Sequence, residues 1–241
     1  MRIPRIYTEQ ALITGELIQL EEAASHHLSK VLRMQAGREL ILFNGAGGEF
    51  TAVIQEVSKK YVAVLIAEHS ADNRESPLQL ELAIGISRGE RFEWVLQKAT
   101  ELGITKITPL ITERTEVKTG GDRQEKMQDR WQQIIISACE QCQRNLLPEL
   151  AAPVQLNDWL ATVNSDFRFV LHHRDSKSLP TDQKPQSVSL LIGPEGGLSE
   201  NEIAQAQAKN FNALTLGPRV LRTETAPIAA ISLVQYLWGD L

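Results

Sequence analysis

Residues 187–202 read SVSLLIGPEGGLSENE: a run of strand texture, a turn carrying Gly193, Gly196 and Gly197, then the start of a helix. Ser199 with Glu202 three positions later is a capping-box pair, in which the serine side chain and the glutamate satisfy each other's backbone N–H groups; such a cap is worth about 1 kcal/mol. The loop is therefore confined to Gly193–Leu198, between a buried strand and a helix. In sheets built from that unit, ligands sit beyond the carboxyl ends of the strands. The Lys-Ser/Thr pair of a phosphate loop is missing, the glycines lack dinucleotide-fingerprint spacing, and Glu195 opposes a pyrophosphate. What remains is a ligand met by bare backbone and neutral or cationic where it is held. A tight turn with a left-handed glycine accounts for one of the three glycines better than for all of them.

The same texture extends on both sides. LQLELAIGIS, ITKITPLI, FRFVLHH, SVSLLIG and ALTLG read as buried strands; ERFEWVLQKATELG, ending at Gly103, RQEKMQDRWQQIIISACEQCQR, SENEIAQAQAKN and TAPIAAISLVQYLWG read as helices. Buried strands alternating with amphipathic helices predict an α/β domain with a largely parallel sheet covered on both faces. Its ligand edge falls at Leu171–His173, Ile192–Gly197 and Leu216–Arg222. Upstream, Glu39–Phe43, Glu49–Val57 and Tyr61–Ala67 are strand-like runs joined by the turn signals NGAGG and SKK, and EEAASHHLSKVLRM is the helical stretch. These features predict a small β-barrel or sheet with one helix. The polar, proline-containing HSADNRESPLQ marks the boundary near residues 70–77, giving domains at 1–72 and 73–241. No internal repeat is visible.

A second loop reaches the ligand edge in LTLGPRVLRTETAPIAAISLV. A strand at Leu214–Leu216 ends at Gly217-Pro218, and a helix begins near Thr223 with Pro227 in its first turn. Two such loops side by side form an apolar slot with Leu216, Val220 and Leu221 as walls and glycine backbone as floor. A flat heteroaromatic ring fits it, with Arg222 and Glu224 at the rim.

IGPEGGLSENE followed by LGPRVLRTETA resembles the paired signature of the RsmE family. These SPOUT-superfamily methyltransferases act on N3 of one uridine in the decoding region of 16S ribosomal RNA. The likeness extends to SRGERFEWVLQKATELGI, ACEQCQRNLLPEL, HHLSKVLRM and LFNGAGGEF, so it covers both expected domains. It implies a PUA-like RNA-binding β-barrel followed by a SPOUT domain with a trefoil knot, which periodicity could not have suggested. It further implies S-adenosylmethionine as methyl donor and a homodimer with the active site near the subunit interface. Carried onto this chain, the cofactor residues are Gly193, Gly196, Leu216, Gly217 and Leu221, with Leu171 and His172 from the neighbouring strand end. An adenosyl sulfonium needs no phosphate cradle and tolerates a carboxylate nearby.

For the reaction so implied, Arg222 is the candidate to stabilise charge on the uracil ring, and Glu224 the candidate base or the group that orients Arg222. An Arg–Glu pair closing a helix N-terminus is the plainer reading of both. Candidate RNA contacts are Arg2, Arg5, Lys30 and Arg33 in the first domain and Arg88, Arg91, Lys98 and Arg114 in the second, with Lys30 and Arg33 on one helix face. Each also reads as a solvated surface charge. His26 and His27 on the same helix read more readily as packed or surface histidines.

Composition bounds these readings. At 241 residues, 42% hydrophobic and 23% charged, the chain has ordinary globular composition. A net charge of −5 opposes a general affinity for nucleic acid, so RNA binding must come from local patches. There is no apolar run of membrane-spanning length, and MRIPRIYTEQ is not followed by the apolar block of a secretory signal, so no membrane partner is expected and the location expected is cytoplasmic. Cys139 and Cys142 lie about one turn apart on a helix. A zinc site would need His172 and His173, whose adjacency chelates poorly, so no metal is expected. The alternative to a methyltransferase is a non-catalytic RNA-binding protein of the same architecture; a nucleotide hydrolase lacks its phosphate loop.

Overall fold

The computed structural model describes residues 3–117, 120–172, 179–180 and 183–241. The chain forms two compact units, residues 1–75 with 139–147, and residues 76–138 with 148–241.

In the first unit the strands are β1 (Arg5–Tyr7), β2 (Leu17–Gln19), β3 (Glu39–Phe43), β4 (Glu49–Val57) and β5 (Val62–Ser70), in the order β1-β3-β4-β5-β2 among the described residues. β3 and β4 keep the predicted limits, because NGAGG turns them into a hairpin with Leu42 opposite Phe50. β5 runs three residues past the predicted Ala67, since it continues pairing with β4 as far as Ser70 opposite Glu49. β1 and β2 escape periodicity because each is only a few residues long, too short to show an alternation. Ile6, Leu28, Leu40, Leu42, Ile54 and Val64 are buried in one core.

The predicted helix of this unit is two pieces: α1 (Glu22–His26) and a π-helical turn, His27–Val31. Arg33 then adopts a left-handed backbone, φ 51°. Lys30 and Arg33 therefore do not share a helix face, a correction to the sequence reading: spacing arguments assume 3.6 residues per turn, and both the wider turn and the left-handed residue break that register.

Residues 139–147 belong to this unit through polar ties. The Arg144 guanidinium grips Glu75, Tyr7 N–H donates to Glu140 at 3.0 Å, and Asn145 donates to the Asp72 carbonyl at 2.9 Å. Arg5, 7% exposed, donates to Glu49 and Asn145 and lies 5.1 Å over the Phe43 ring. This is a second correction: Arg5 holds the unit together and is not free to meet RNA. Burial works to raise the Glu49 carboxyl, but the Arg5 and Arg74 guanidiniums outweigh it and hold it below its ordinary 4.5. A depressed carboxyl contributes stability that is present above the unfolded value and lost as pH falls through the folded one. Glu49→Gln is thus expected to flatten the stability–pH curve below about pH 4.5; denaturant midpoints at pH 3, 4 and 6 that keep the wild-type spread would refute it.

Burial pushes the Cys139 thiol up to about 12 against the pull of Arg144, so it is not the thiolate that redox or metal chemistry needs. Iodoacetamide at pH 8 is expected to add to the native protein at Cys142 alone and to both cysteines after denaturation. A native double adduct by intact mass would contradict this.

The second unit comprises β6 (Gln79–Gly85), α2 (Glu90–Glu101), β7 (Lys106–Ile111), α3 (Gly121–Cys142, whose last turn counts with the first unit), β8 (Glu149–Leu150), β9 (Val154–Gln155), α4 (Leu156–Thr162), β10 (Phe167–Leu171), β11 (Ser187–Ile192), α5 (Glu200–Ala208), β12 (Asn212–Leu214) and α6 (Thr225–Trp238). The sheet order is β12-β10-β11-β6-β7-β8, with β9 also on β7, and every pairing is parallel. β11 and β6 are almost wholly buried, as helices on both faces require. In register, Val170 faces Leu191 and Leu191 faces Ala83, so the ends of β10, β11 and β6 share one edge. β12 ends at Leu214, two residues before the predicted limit: after the bond from His172 N–H to Leu214 O, Thr215 turns its hydroxyl onto the His172 carbonyl at 2.8 Å. α6 begins at Thr225 rather than near Thr223.

Within the sheet, the Glu81 carboxylate accepts from Thr108, Trp159 and Ser189, giving the polar groups of three other elements a common partner. Among the described residues no helix is long and apolar enough to cross a membrane.

Candidate active site

The loop Gly193–Leu198 and the loop between β12 and α6 meet at the carboxyl edge of the parallel sheet. In the first, Gly193–Leu198, Ser199 and Glu202 form the expected capping box. Glu202 does more than cap: it is 3% exposed and also accepts the Glu113 backbone N–H at 2.8 Å, tying the loop after β7 to the start of α5. The glycines have separate causes. Gly197 is left-handed, φ 68°, and at Gly193 a Cβ would stand 2.6 Å from the Gly197 carbonyl carbon and the Leu198 nitrogen. Gly196 lies under the Arg114 side chain, whose Nη1 donates to the Gly196 carbonyl at 2.6 Å.

The Glu195 carboxylate reaches from this loop to the segment before α2. Its Oε1 accepts the Arg88 backbone N–H at 2.9 Å and lies 3.6 Å from the Arg91 guanidinium. It supplies negative charge at the start of α2, where the helix dipole favours it and where the N-cap, Gly89, has no side chain to cap with.

Between Gly193–Leu198 and the β12–α6 loop lies a cleft of about 390 Å³, within the range of small-molecule sites. Gly193, Gly196, Leu216, Gly217, Leu221, Leu171 and His172 all line it. So do residues that the sequence reading passed over: Leu198 and Ile203, from the first turns around α5, and Thr223. Leu198 could have been found as the apolar residue just ahead of the cap. Ile203 carries no such signal, because its side chain is placed by the helix packing. The cleft pairs apolar walls with exposed main chain, which suits an adenosyl group, and Arg114 and Arg219 also line it.

Arg222 and Glu224 stand apart from the lining. The Arg222 side chain is 81% exposed and 3.8 Å from Glu224, while the Arg222 carbonyl accepts from Thr225 and Ala226 at the start of α6.

A second cleft, about 510 Å³, shares Arg114, Glu195 and Gly196 with the first and adds Arg88, Arg91, Glu113, Thr115 and Glu116, so that three arginines stand among three glutamates. Arg88 pairs with Glu116. Three of the expected RNA residues thus come together, while Lys98 lies on the last turn of α2 in an ion pair with Glu101. Lys30 and Arg33 are exposed in the first unit. Arg2 and His173 lie outside the described residues. Among the described residues no three His, Cys, Asp or Glu side chains group as a metal site would require.

A parallel sheet with glycine loops forming an adenosyl-sized cleft at its edge, beside a cleft holding three arginines and three glutamates, fits an RNA methyltransferase, and the family models place the chain in that class. A family model described as RNA methyltransferase domain matches residues 74–235, and one described as RNA methyltransferase PUA domain matches residues 20–67. Within that class, the chain belongs to the ribosomal RNA small subunit methyltransferase E family. It is 36% identical over 244 residues to the Buchnera aphidicola (Schizaphis graminum) member, covering 100% of this chain and 98% of that one. To the Bacillus subtilis member it is 34% identical, over 93% and 89%. Among solved structures, a methyltransferase of Legionella pneumophila in complex with S-adenosylmethionine superposes with a TM-score of 0.97 at 48% identity. The Neisseria gonorrhoeae ribosomal RNA small subunit methyltransferase E bound to S-adenosylmethionine gives 0.93 at 37%; both cover 100% of each chain. The fold expected from the resemblance, an α/β methyltransferase domain after a PUA-like domain, is the one found.

Proposed function

We propose that this chain methylates N3 of a single uridine in the decoding region of 16S ribosomal RNA within the small ribosomal subunit, using S-adenosylmethionine. The observation that carries the reading is the backbone-floored cleft at the sheet edge, with relatives at 37% and 48% identity bound to that cofactor. Gly193, Gly196 and Gly217 would hold the adenosyl group through main-chain groups, with Leu216 and Leu221 as apolar walls of the cleft. When bound, the cofactor supplies a methyl group on a sulfonium. The loops are those of the trefoil knot that the resemblance implies.

The rest falls to side chains. Uridine N3 is a poor nucleophile until its imide proton leaves. Arg222 stabilises the negative charge that then spreads over the ring oxygens; Glu224 orients that guanidinium or takes the proton. Arg88, Arg91 and Arg114 take backbone phosphates, with Lys30, Arg33 and Lys98 adding to the field, so affinity for RNA falls steeply with salt. Alignment of N3 with the methyl contributes several kcal/mol more.

The enzyme works as a homodimer in the cytoplasm. Support for the dimer is Tyr236 of α6, 73% exposed, and Val220 on the preceding loop, 86% exposed, two apolar side chains that a second copy would cover. Sedimentation equilibrium giving a monomer mass overturns it.

The deciding experiment incubates the protein with small subunits from a strain lacking this methylation and labelled S-adenosylmethionine, then maps the modified nucleotide. One N3-methyluridine in the decoding region is expected. Methylation at another base, or none despite cofactor binding, defeats the reading; absence of cofactor binding by calorimetry would favour an RNA-binding protein without activity.

A further inference from the structure

The Glu195 carboxylate is the unexplained charge of the cofactor loop. It neither faces an anion nor leaves its own loop unattended: it reaches across to the segment between β6 and α2 and takes the Arg88 N–H at 2.9 Å, with Arg91 Nη1 3.6 Å away. Arg88 and Arg91 bracket Gly89, which has φ 55° and is the N-cap of α2 without a side-chain cap. The first turn of α2 therefore lacks a side-chain N-cap of its own. Its position is set from outside by Glu195, while Arg114 is held from the same loop by the Gly196 carbonyl. All three arginines of the second cleft thus take their placement from residues 195–196 or from Glu116.

We propose that Glu195 is a positioning residue: hung from the cofactor loop, it sets Arg88 and Arg91 to receive a phosphate of the RNA substrate in register with the cofactor cleft. The inference rests on the methyltransferase reading and deepens it. Glu195 lines both clefts, and in this role its carboxylate acts through Arg88 and Arg91. It restrains the start of α2 through a charge-assisted backbone bond, the stronger class of hydrogen bond, and limits the rotamers of Arg91.

The test uses the full-length protein, small subunits as substrate and S-adenosylhomocysteine as the cofactor probe. Glu195→Ala is expected to raise KM for subunits about tenfold, as loss of a hydrogen bond to a charged group implies, with kcat and the calorimetric Kd for S-adenosylhomocysteine each within about threefold of wild type. Glu195→Gln keeps an oxygen to accept the Arg88 N–H and is expected to recover most of that loss. Because the two side chains act as one unit, adding Arg91→Met to Glu195→Ala is expected to cost less than the product of the single effects. Two results overturn the proposal: a tenfold weaker Kd for S-adenosylhomocysteine with KM for subunits unchanged, which makes Glu195 a strut of the cofactor loop, or multiplicative effects of Glu195→Ala and Arg91→Met. If Glu195→Ala does not fold, Glu195→Gln and Arg91→Met carry the same comparison. Wild-type protein that fails to methylate subunits defeats the functional reading instead, and the subunit-binding constants of the same variants still decide the role of Glu195.

Discussion

Arg222→Ala is expected to lower kcat for methylation of small subunits by a factor on the order of 100 or more, the usual cost of removing one preorganised donor from developing negative charge. The Kd for S-adenosylmethionine should stay within about threefold, because Arg222 is outside the cofactor cleft lining and its side chain is 81% exposed. The split between kcat and Kd is the informative part. A purely structural pair with Glu224 at the start of α6 would be worth little at this exposure, and its loss would leave kcat alone. Lysine at the position retains the charge but not the planar fork, so Arg222→Lys is expected to stay well below wild-type turnover. Wild-type kcat in Arg222→Ala removes the residue from the mechanism.

Gly193→Ala is expected to weaken S-adenosylmethionine binding more than tenfold by calorimetry, with turnover falling in parallel at subsaturating cofactor. The cause is steric: the added methyl meets backbone atoms of Gly197 and Leu198 at 2.6 Å, and backbone cannot swing aside as a flexible side chain can. The two halves of the loop must separate, and the main chain offered to the ligand moves with them. Gly196→Ala provides the contrast. The nearest neighbours of its methyl are Cβ and Cδ of Arg114, both at 3.2 Å, a looser contact than the 2.6 Å at Gly193, so a milder loss is expected. Equal effects at the two positions would show that the loop is not clamped at Gly193.

Much of this site was legible before any coordinates. The capping box at Ser199 and Glu202 marked the loop's end because its partners are three residues apart. The strands of the parallel sheet announced themselves as continuous apolar runs, and the seven cofactor positions carried over from the family signature all line one cleft. The limits that moved were those decided by pairing: β5 continues because β4 offers partners, and β12 stops where Thr215 turns onto the His172 carbonyl. α4 went unseen because VQLNDWLATV is too short to display a full helical stripe.

Charged residues were the least legible. Arg5 and Arg91 look alike as letters, yet Arg5 is buried against Glu49 and Asn145 while Arg91 lies in an open cleft. Lys30 and Arg33 had helical spacing but not helical geometry. A charge reports its role through its partners, and those partners are distant along the chain.

By itself, the sequence placed most of the longer strands and helices and the turns between them, and predicted a ligand met by bare backbone at the Gly193–Leu198 loop, since periodicity, capping pairs and glycine placement act over a few residues. Only the tertiary structure decided that residues 139–147 join the first unit through Arg144 and Glu75, 69 residues apart, and that Glu195 serves α2 across a separation of 107. The physical reason is range. Local backbone preference is encoded in adjacent residues, whereas the partner that neutralises a carboxylate is chosen by the packing of the whole sheet.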